Sequence, residues 1–377
     1  MKKNTKILIA IVIAMALLLY GLGDAFWFAP KRIKLREEKL SSTLIPEQMD
    51  NIRILYFSDL DYGTFVNEER LSSLTDKINN AAADVILFGG DLYDAQASAG
   101  DDTNVLLEKY LSAMNAPLGK FAVYGDIDEE SDAMKNAVNT IYSQSGFEVL
   151  NNTAITLHNR GSQSITLAGL DNTVNGKPQV EPTYSSISRD SYVITICHTP
   201  DAADLVPSDI TNYFLAGHSH GGQAYYLLGS MYHPAGAEHY LRGTHQIDDK
   251  FTLDITNGVG TTGKDVRFLA DQEIVVYTLH HEDDPDKTTP QPTKAADSSN
   301  DEENTEAAPT PDNQESAAPE ESPAADQQQD TQAEQQQTEQ TQEQPAEQQQ
   351  PEQTQTEEQQ TDQTQVQDQT QEQPAQQ

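Results

Sequence analysis

Between Asn51 and His281, short apolar runs alternate with stretches whose apolar residues recur at helical spacing. Ile52–Phe57 (IRILYF) predicts a strand. Over Arg70–Ala82, Leu71, Leu74 and Ile78 fall three and four residues apart, which predicts one buried face of a helix. Val85–Phe88 predicts a buried strand, Val105–Met114 a helix, and Phe121–Tyr124 a third strand. Asp132–Tyr142 has helical spacing, with Ser131 placed to cap it. Ser164–Ala168, Tyr192–Cys197, Tyr213–Ala216 and Ile274–Leu279 follow, all short and β-rich. Alternation first and mostly strands later predict an α/β domain over residues 51–281 with a layered sheet core.

Before this domain the pattern changes. Residues 1–6 form a short basic N-terminus with Lys2, Lys3 and Lys6, followed by an unbroken apolar run from Ile7 to Gly23. The run extends through Phe26-Trp27-Phe28, aromatics suited to a membrane interface, so residues 7–28 are expected to be a transmembrane anchor. A cleavable leader is the alternative, with Gly23-Asp24-Ala25 as a small-x-small site, although its apolar core would be shorter. Lys31, Arg32, Lys34, Arg36 and Lys39 follow the span, so basic residues flank both ends and do not decide orientation. A short basic N-terminus that stays in the cytoplasm would place the rest outside, as a single-pass protein of the cell membrane. Residues 29–50 read as a juxtamembrane linker.

Charge separates a third region. The chain carries 60 acids against 23 bases, a net of −37. Residues 283–377 hold 24 of those acids and only Lys287 and Lys294 as bases, a net of −22, which leaves −15 for the rest. The same stretch has no aromatic residue, Leu or Ile. It cannot bury enough apolar surface to offset chain entropy, so the Gln/Glu/Thr/Pro-rich segment from 282 onward is expected to be a disordered, solvated spacer. An acidic chain is a poor partner for nucleic acid. A single cysteine, Cys197, excludes an intramolecular disulfide and a Cys-rich zinc module.

The candidate chemistry lies where the predicted strands end. Ile52–Phe57 runs into Ser58-Asp59-Leu60-Asp61, Val85–Phe88 into Gly89-Gly90-Asp91, and Phe121–Tyr124 into Gly125-Asp126-Ile127-Asp128. Tyr192–Cys197 ends at His198, and Tyr213–Ala216 at Gly217-His218-Ser219-His220. Ligands bind at the carboxyl ends of strands in open sheets, so these loops can converge on one site. Asp59, Asp61, Asp91, Asp126, His198, His218 and His220 together suit Mn²⁺, Fe or Zn²⁺ and are too many for one tetrahedral ion. Two ions sharing a bridging carboxylate would use them all, a recurring device for displacement at phosphorus.

The order and spacing of these five motifs, over about Ile52–Leu279, resemble the calcineurin-like metallophosphoesterases, specifically their membrane-associated bacterial branch. Ala216-Gly-His-Ser-His-Gly-Gly-Gln223 is similar to that branch's last metal motif, and Gly90-Asp91-Leu-Tyr-Asp94 and Ile196-Cys-His-Thr-Pro-Asp201 match too. Asn257–Phe268 and Glu273–Leu279 resemble its C-terminal strands. The resemblance implies a β-sandwich flanked by helices. It implies one metal on Asp59, Asp61, Asp91 and His220 and another on Asp91, Asp126, His198 and His218, with Asp91 bridging. It also implies hydrolysis of a phosphoester or pyrophosphate by a metal-activated hydroxide.

Three departures modify that expectation. Asp61 and Asp126 replace the family's His and Asn, giving a more anionic site that favours harder cations (Mn²⁺, Fe or Mg²⁺ over Zn²⁺). Ile127 replaces the histidine to which the family assigns the leaving-group proton, a role typically worth about 10²–10⁴-fold. Asp128 is the candidate acid in its place. The expected substrate is a phosphorylated small molecule, lipid or envelope component. The alternative is a catalytically impaired metal-binding module at the cell surface, and a third reading gives the main role to the tail. Gly258-Val-Gly260-Thr-Thr-Gly263 matches a dinucleotide fingerprint but precedes a strand-like segment, so it is set aside. Cys197 is expected as a small buried hydrophobe, His233, His239 and His245 as surface or core residues, and His280 and His281 have no expected role.

Overall fold

The computed structural model describes residues 3–226 and 229–283. The acidic tail expected to be disordered lies outside the described residues. A helix α1 (Lys3–Gly23) continues through short helical turns to Lys31 and is followed by strand β1 (Ile33–Ser42). Strand β2 (Arg53–Phe57), helix α2 (Glu68–Asn80), strand β3 (Val85–Phe88), helix α3 (Asp101–Ser112), strand β4 (Gly119–Ala122), helix α4 (Asp132–Gln144) and strand β5 (Phe147–Val149) complete a first half. The second half contains β6 (Thr153–His158), β7 (Ser164–Gly169), β8 (Val193–Ile196), β9 (Tyr213–Ala216), the short pair β10 (Tyr225–Tyr226) and β11 (Gly229–Ser230), β12 (Gly243–Gln246), β13 (Thr252–Ile255) and β14 (Gln272–His281).

Two six-stranded mixed sheets form, in the orders β1-β14-β2-β3-β4-β5 and β12-β13-β9-β8-β7-β6. Strands β2 to β5 run parallel, as do β7, β8, β9 and β13. Strand β2 explains why its sequence reads as a continuous apolar run. Ile54 and Tyr56 face the second sheet among Ile165, Leu167 and Ile194, while Leu55 and Phe57 face α2 to α4 among Leu71, Leu107 and Val138. Both faces are buried, so the period of two is filled with apolar residues on each side. Phe57 stacks on Phe88 at 4.5 Å between ring centroids. The Ser131 hydroxyl caps α4 by accepting from Met134 N, as its sequence position implies.

The helices and apolar strands lie within a few residues of their predicted positions, but strand Phe121–Tyr124 shifts to end at Ala122. The larger correction concerns residues 29–50, read as a linker. Ile33–Ser42 is instead an edge strand paired along its full length with β14 in parallel. Its centre, Arg36-Glu37-Glu38-Lys39, is wholly charged, and only Ile33 and Leu40 near its ends are buried. Asp254 of β13 is fully buried and accepts from Arg36 Nη1 and Nη2 of β1 at 2.9 and 3.2 Å, from Tyr277 Oη of β14 at 2.6 Å, and from Thr244 Oγ1 of β12 at 3.1 Å. One carboxylate therefore ties the edge strand to both sheets. Arg36→Ala would leave that buried charge without its cation and is expected to lower unfolding free energy by about 3 kcal/mol, read from a chemical-denaturation midpoint. A change below about 1 kcal/mol would mean that β1 is not held this way.

Candidate metal centre

The five strand ends converge. β2, β3 and β4 of one sheet and β8 and β9 of the other deliver Asp59, Asp61, Asp91, Asp126, His198, His218 and His220 to one place, and all except the half-buried Asp126 are buried. Asp59, Asp61, Asp91, His218 and His220 all have positive φ, between 49° and 66°. Non-glycine residues adopt this left-handed region at a cost on the order of 1–3 kcal/mol each, so the site is strained into shape by its surroundings.

His198 Nδ1 lies 2.7 Å from the Gly89 carbonyl, and His218 Nε2 lies 2.7 Å from the Ala235 carbonyl. Each carbonyl fixes its ring with the hydrogen on that nitrogen, so the opposite nitrogen presents a lone pair to the site. Those two nitrogens, His198 Nε2 and His218 Nδ1, are only 3.1 Å apart. Asp126 Oδ1 lies 3.2 Å from the first and 2.9 Å from the second, and Asp91 Oδ2 is 3.1 Å from His198 Nε2. Facing lone pairs and carboxylates at these distances require a positive charge between them, either a proton or a cation. Burial favours neutral His198, but Asp91 and Asp126 outweigh it and hold its pKa well above the ordinary value. Burial works against the Asp126 carboxylate too, yet His198 and His218 hold its pKa below the usual range. Four ligand atoms within 4.8 Å of one another, from Asp91, Asp126, His198 and His218, fit one divalent ion.

The other half is looser. His220 Nε2 is 3.7 Å from Asp59 Oδ1 and 3.6 Å from Asp61 Oδ2. Asp59 Oδ2 and Asp61 Oδ2 are buried with no hydrogen-bond partner. Burial raises the Asp61 pKa, and the neighbouring Asp59 and Asp91 raise it further. Such crowded, orphaned oxygens also fit a cation. Burial, reinforced by Arg267, pushes His220 down to about 3, so its ring is neutral. Arg267 Nη2 faces His220 Nδ1 at 3.3 Å and can only donate there, which puts the ring hydrogen on Nε2. A ligand role for Nε2 therefore requires the opposite tautomer, with Arg267 Nη2 keeping its 2.6 Å bond to the Gly260 carbonyl.

Asp128 does not occupy the position expected of an acid. It is fully buried, and its oxygens accept from Asp91 N, Leu92 N and Gly125 N, each at 2.9 Å. It braces the Asp91 loop against the Asp126 loop and has no path to a leaving group. Asp91 Oδ1 in turn accepts from Ile127 N at 3.0 Å, so Ile127 contributes its backbone while its side chain offers no donor. Gly125 is required here, because a Cβ at this position would fall 2.0 Å from Asp91 Oδ1.

Two site neighbours escaped the sequence reading. Arg267 is fully buried and also donates to the carbonyls of His220, Asn257 and Ala270. Its signal was a lone base between Val266 and Phe268 in a β-rich segment. Tyr232 packs edge-on to His220 with centroids 5.4 Å apart. Burial, and then the nearby Asp126, Asp91, Asp61 and Asp59, raise its pKa. Cys197 is buried, and burial pushes its thiol up to about 11, consistent with a packing role. His239 sits at the surface on Asp204, His245 bonds the Arg242 carbonyl, and His280 pairs with Asp50; none reaches the site. In the Gly258–Gly263 segment no helix follows; Val259 N and Gly260 N instead donate to the carbonyls of Ser58 and Asp59.

Residues 52–222 match the profile of the calcineurin-like phosphoesterases. An uncharacterized metallophosphoesterase, YkuE, of Bacillus subtilis is 32% identical over 260 residues, covering 69% of this chain and 90% of that protein. The phosphodiesterase YaeI of Escherichia coli is 27% identical, over 64% of this chain and 86% of its own. A transmembrane protein with a metallophosphoesterase domain from Danio rerio is 24% identical, over 72% of this chain and 62% of its own. With the sandwich and the strand-end cluster in place, these relationships establish that the chain belongs to the calcineurin-like phosphoesterase family.

Proposed function

We propose that the protein is a membrane-anchored phosphoester hydrolase working with two divalent cations. One would be held by Asp91, Asp126, His198 and His218, and the other by Asp59, Asp61, Asp91 and His220. The observation that carries this reading is the 3.1 Å approach of His198 Nε2 to His218 Nδ1, each with its other nitrogen committed to a carbonyl. When bound, the cations supply Lewis acidity, acidifying water and offsetting charge on phosphoryl oxygens. The carboxylate-rich donor set favours Mn²⁺, Fe or Mg²⁺ over Zn²⁺. Asp128 and Ile127 N keep Asp91 in place between the two halves. Tyr232 packs edge-on to His220 and carries a hydroxyl that could reach a bound phosphate, whereas Ile127 offers neither a hydrogen bond nor a proton. The site is therefore suited to substrates whose leaving group departs without help. That YaeI is named a phosphodiesterase is consistent with a phosphodiester substrate. The helix over Lys3–Lys31 is long and apolar enough to anchor the domain at the membrane. A short basic segment before it favours a domain outside the cytoplasm.

A second reading, a metal-holding binding module without turnover, is favoured by Ile127 alone. Hydrolysis of an activated aryl phosphodiester with added Mn²⁺ separates the two. Turnover lost in Asp91→Asn is the expected outcome, and bound metal at full stoichiometry with no turnover would leave only the binding module. Ile127→His is expected to raise turnover of an alkyl phosphoester by about 10²-fold while changing the aryl substrate little.

Metal binding is expected in two steps, because the second half needs the His220 tautomer change. Calorimetric titration of the metal-free chain should resolve a tight and a weaker ion; a single two-ion step would contradict this. Protons compete for the tight site. With its pKa raised, the His198 proton contributes stability that is fully present below the ordinary 6.5 and lost as pH rises through the raised value. Affinity for the first ion should therefore climb with pH across that window, and a pH-independent affinity would exclude His198 as a ligand.

A further inference from the structure

The N-terminal helix is not a loose tether. Arg267 N donates to the Ala25 carbonyl at 3.0 Å, while Ala25, Ala29 and Pro30 are buried against the domain. A Cβ at Gly21 would lie 3.9 Å from the Phe268 ring. Gly21 precedes Phe28 by nearly two helical turns, about 10 Å along the axis, so Phe268 sits beside the apolar run and not beyond its end. Arg267 links that helix to the metal centre, since its side chain reaches the His220 carbonyl and ring.

The segments that build this edge of the site have two faces. Arg267 turns inward to His220, and Leu269, two residues on, is 63% exposed. Tyr232 packs edge-on to His220 at 5.4 Å between centroids, and Met231 beside it is 42% exposed. Strand β10 follows directly from the His218–Gln223 motif. It presents Tyr225 and Tyr226, at 37% and 46% exposure, and is joined to the same edge by Tyr225 N donating to the Phe268 carbonyl at 2.8 Å. Large apolar side chains grouped in this way mark an interaction surface. Phe26, Trp27 and Phe28 are exposed too, and directly follow Ala25, the residue bonded to Arg267 N. Arg242 lies over the Tyr225 ring at 4.5 Å, and Lys31 and Lys264, on the segments that carry Phe28 and Leu269, are exposed, in an otherwise acidic protein.

We propose that the rim formed by Tyr225, Tyr226, Met231 and Leu269 rests in the bilayer surface that the N-terminal helix enters, and that the metal centre takes the phosphate-bearing headgroup of a membrane amphiphile. The inference builds on the anchored hydrolase above and adds where the site opens and what it receives. Tyrosines suit the interfacial zone, Leu269 and Met231 suit its apolar side, and Arg242, Lys31 and Lys264 suit anionic headgroups. A headgroup lifted only slightly from the bilayer would meet Tyr232 and the carboxylate cluster.

The test uses the full chain, Mn²⁺-loaded, in nanodiscs containing anionic lipid. Leu269→Cys, Met231→Cys, Val105→Cys and Leu18→Cys each carry an environment-sensitive fluorophore, with Cys197 buried and unreactive. Val105 is an exposed apolar residue on α3 and serves as the control. Spin-labelled lipid should quench the fluorophore at 269, 231 and 18 severalfold more than at 105. Quenching at 18 with 269 and 231 matching 105 would overturn the proposal and leave the anchor standing. No quenching at any position would overturn both. A protected but unquenched label at 269 on a dimeric particle would assign the rim to a second copy of the chain. In the substrate arm, discs carrying dioleoyl phosphatidic acid should slow hydrolysis of a soluble aryl phosphodiester severalfold, and Leu269→Ser should relieve this. Equal slowing by soluble glycerol 3-phosphate at the same bulk concentration would assign the site to free phosphates and overturn the proposal.

Discussion

Two imidazole nitrogens presenting lone pairs to each other at 3.1 Å, with two carboxylates at similar range, cannot sit in a buried site without positive charge between them. This requirement governs the rest of the structure. Rings free to turn would relieve it by swinging apart. Here the carbonyls of Gly89, directly after β3, and Ala235, in the loop between β11 and β12, hold them. The repulsion is therefore built into the fold, and a proton or a cation between the rings relieves it.

Much of the surrounding architecture serves to hold that arrangement. Parallel strands from two sheets end side by side, which gathers loops distant in sequence. Left-handed turns at five of the seven candidate ligands then aim side chains that an ordinary strand exit would point elsewhere. Asp128 spends both oxygens tying the Asp91 and Gly125 loops together, and Gly125 lets Asp91 approach without a side chain in the way. Arg267 supplies a buried positive charge beside His220, and burial lowers its own pKa to about 10. The same arginine bonds the Ala25 carbonyl of the N-terminal helical segment through its backbone, so that segment and the candidate metal centre share one residue.

The sequence made the central features legible and hid the connecting ones. Strands buried on both faces, such as Arg53–Phe57 and Val85–Phe88, announce themselves because each position must be apolar. The seven ligand candidates were visible because Asp and His followed those strands at once. Ile33–Ser42 read as a linker because its centre is four consecutive charged residues, as in a solvated segment, and only Ile33 and Leu40 are buried. Its partner β14 lies more than two hundred residues away, beyond any local pattern. Asp128 looked like a reactive acid because sequence gives position and not hydrogen bonding. Arg267 and Tyr232 were missed for the same reason, since their roles arise from contacts with His220 that only the tertiary fold creates.

The central claim is that a divalent cation, and not only a proton, occupies the space between His198 Nε2 and His218 Nδ1. Anomalous diffraction from crystals grown with Mn²⁺ tests it most directly. The expected result is a manganese peak within about 2.0–2.4 Å of both nitrogens and of Asp91 and Asp126 oxygens. A map without that peak, in which the two nitrogens remain in direct contact under saturating Mn²⁺, would contradict the account.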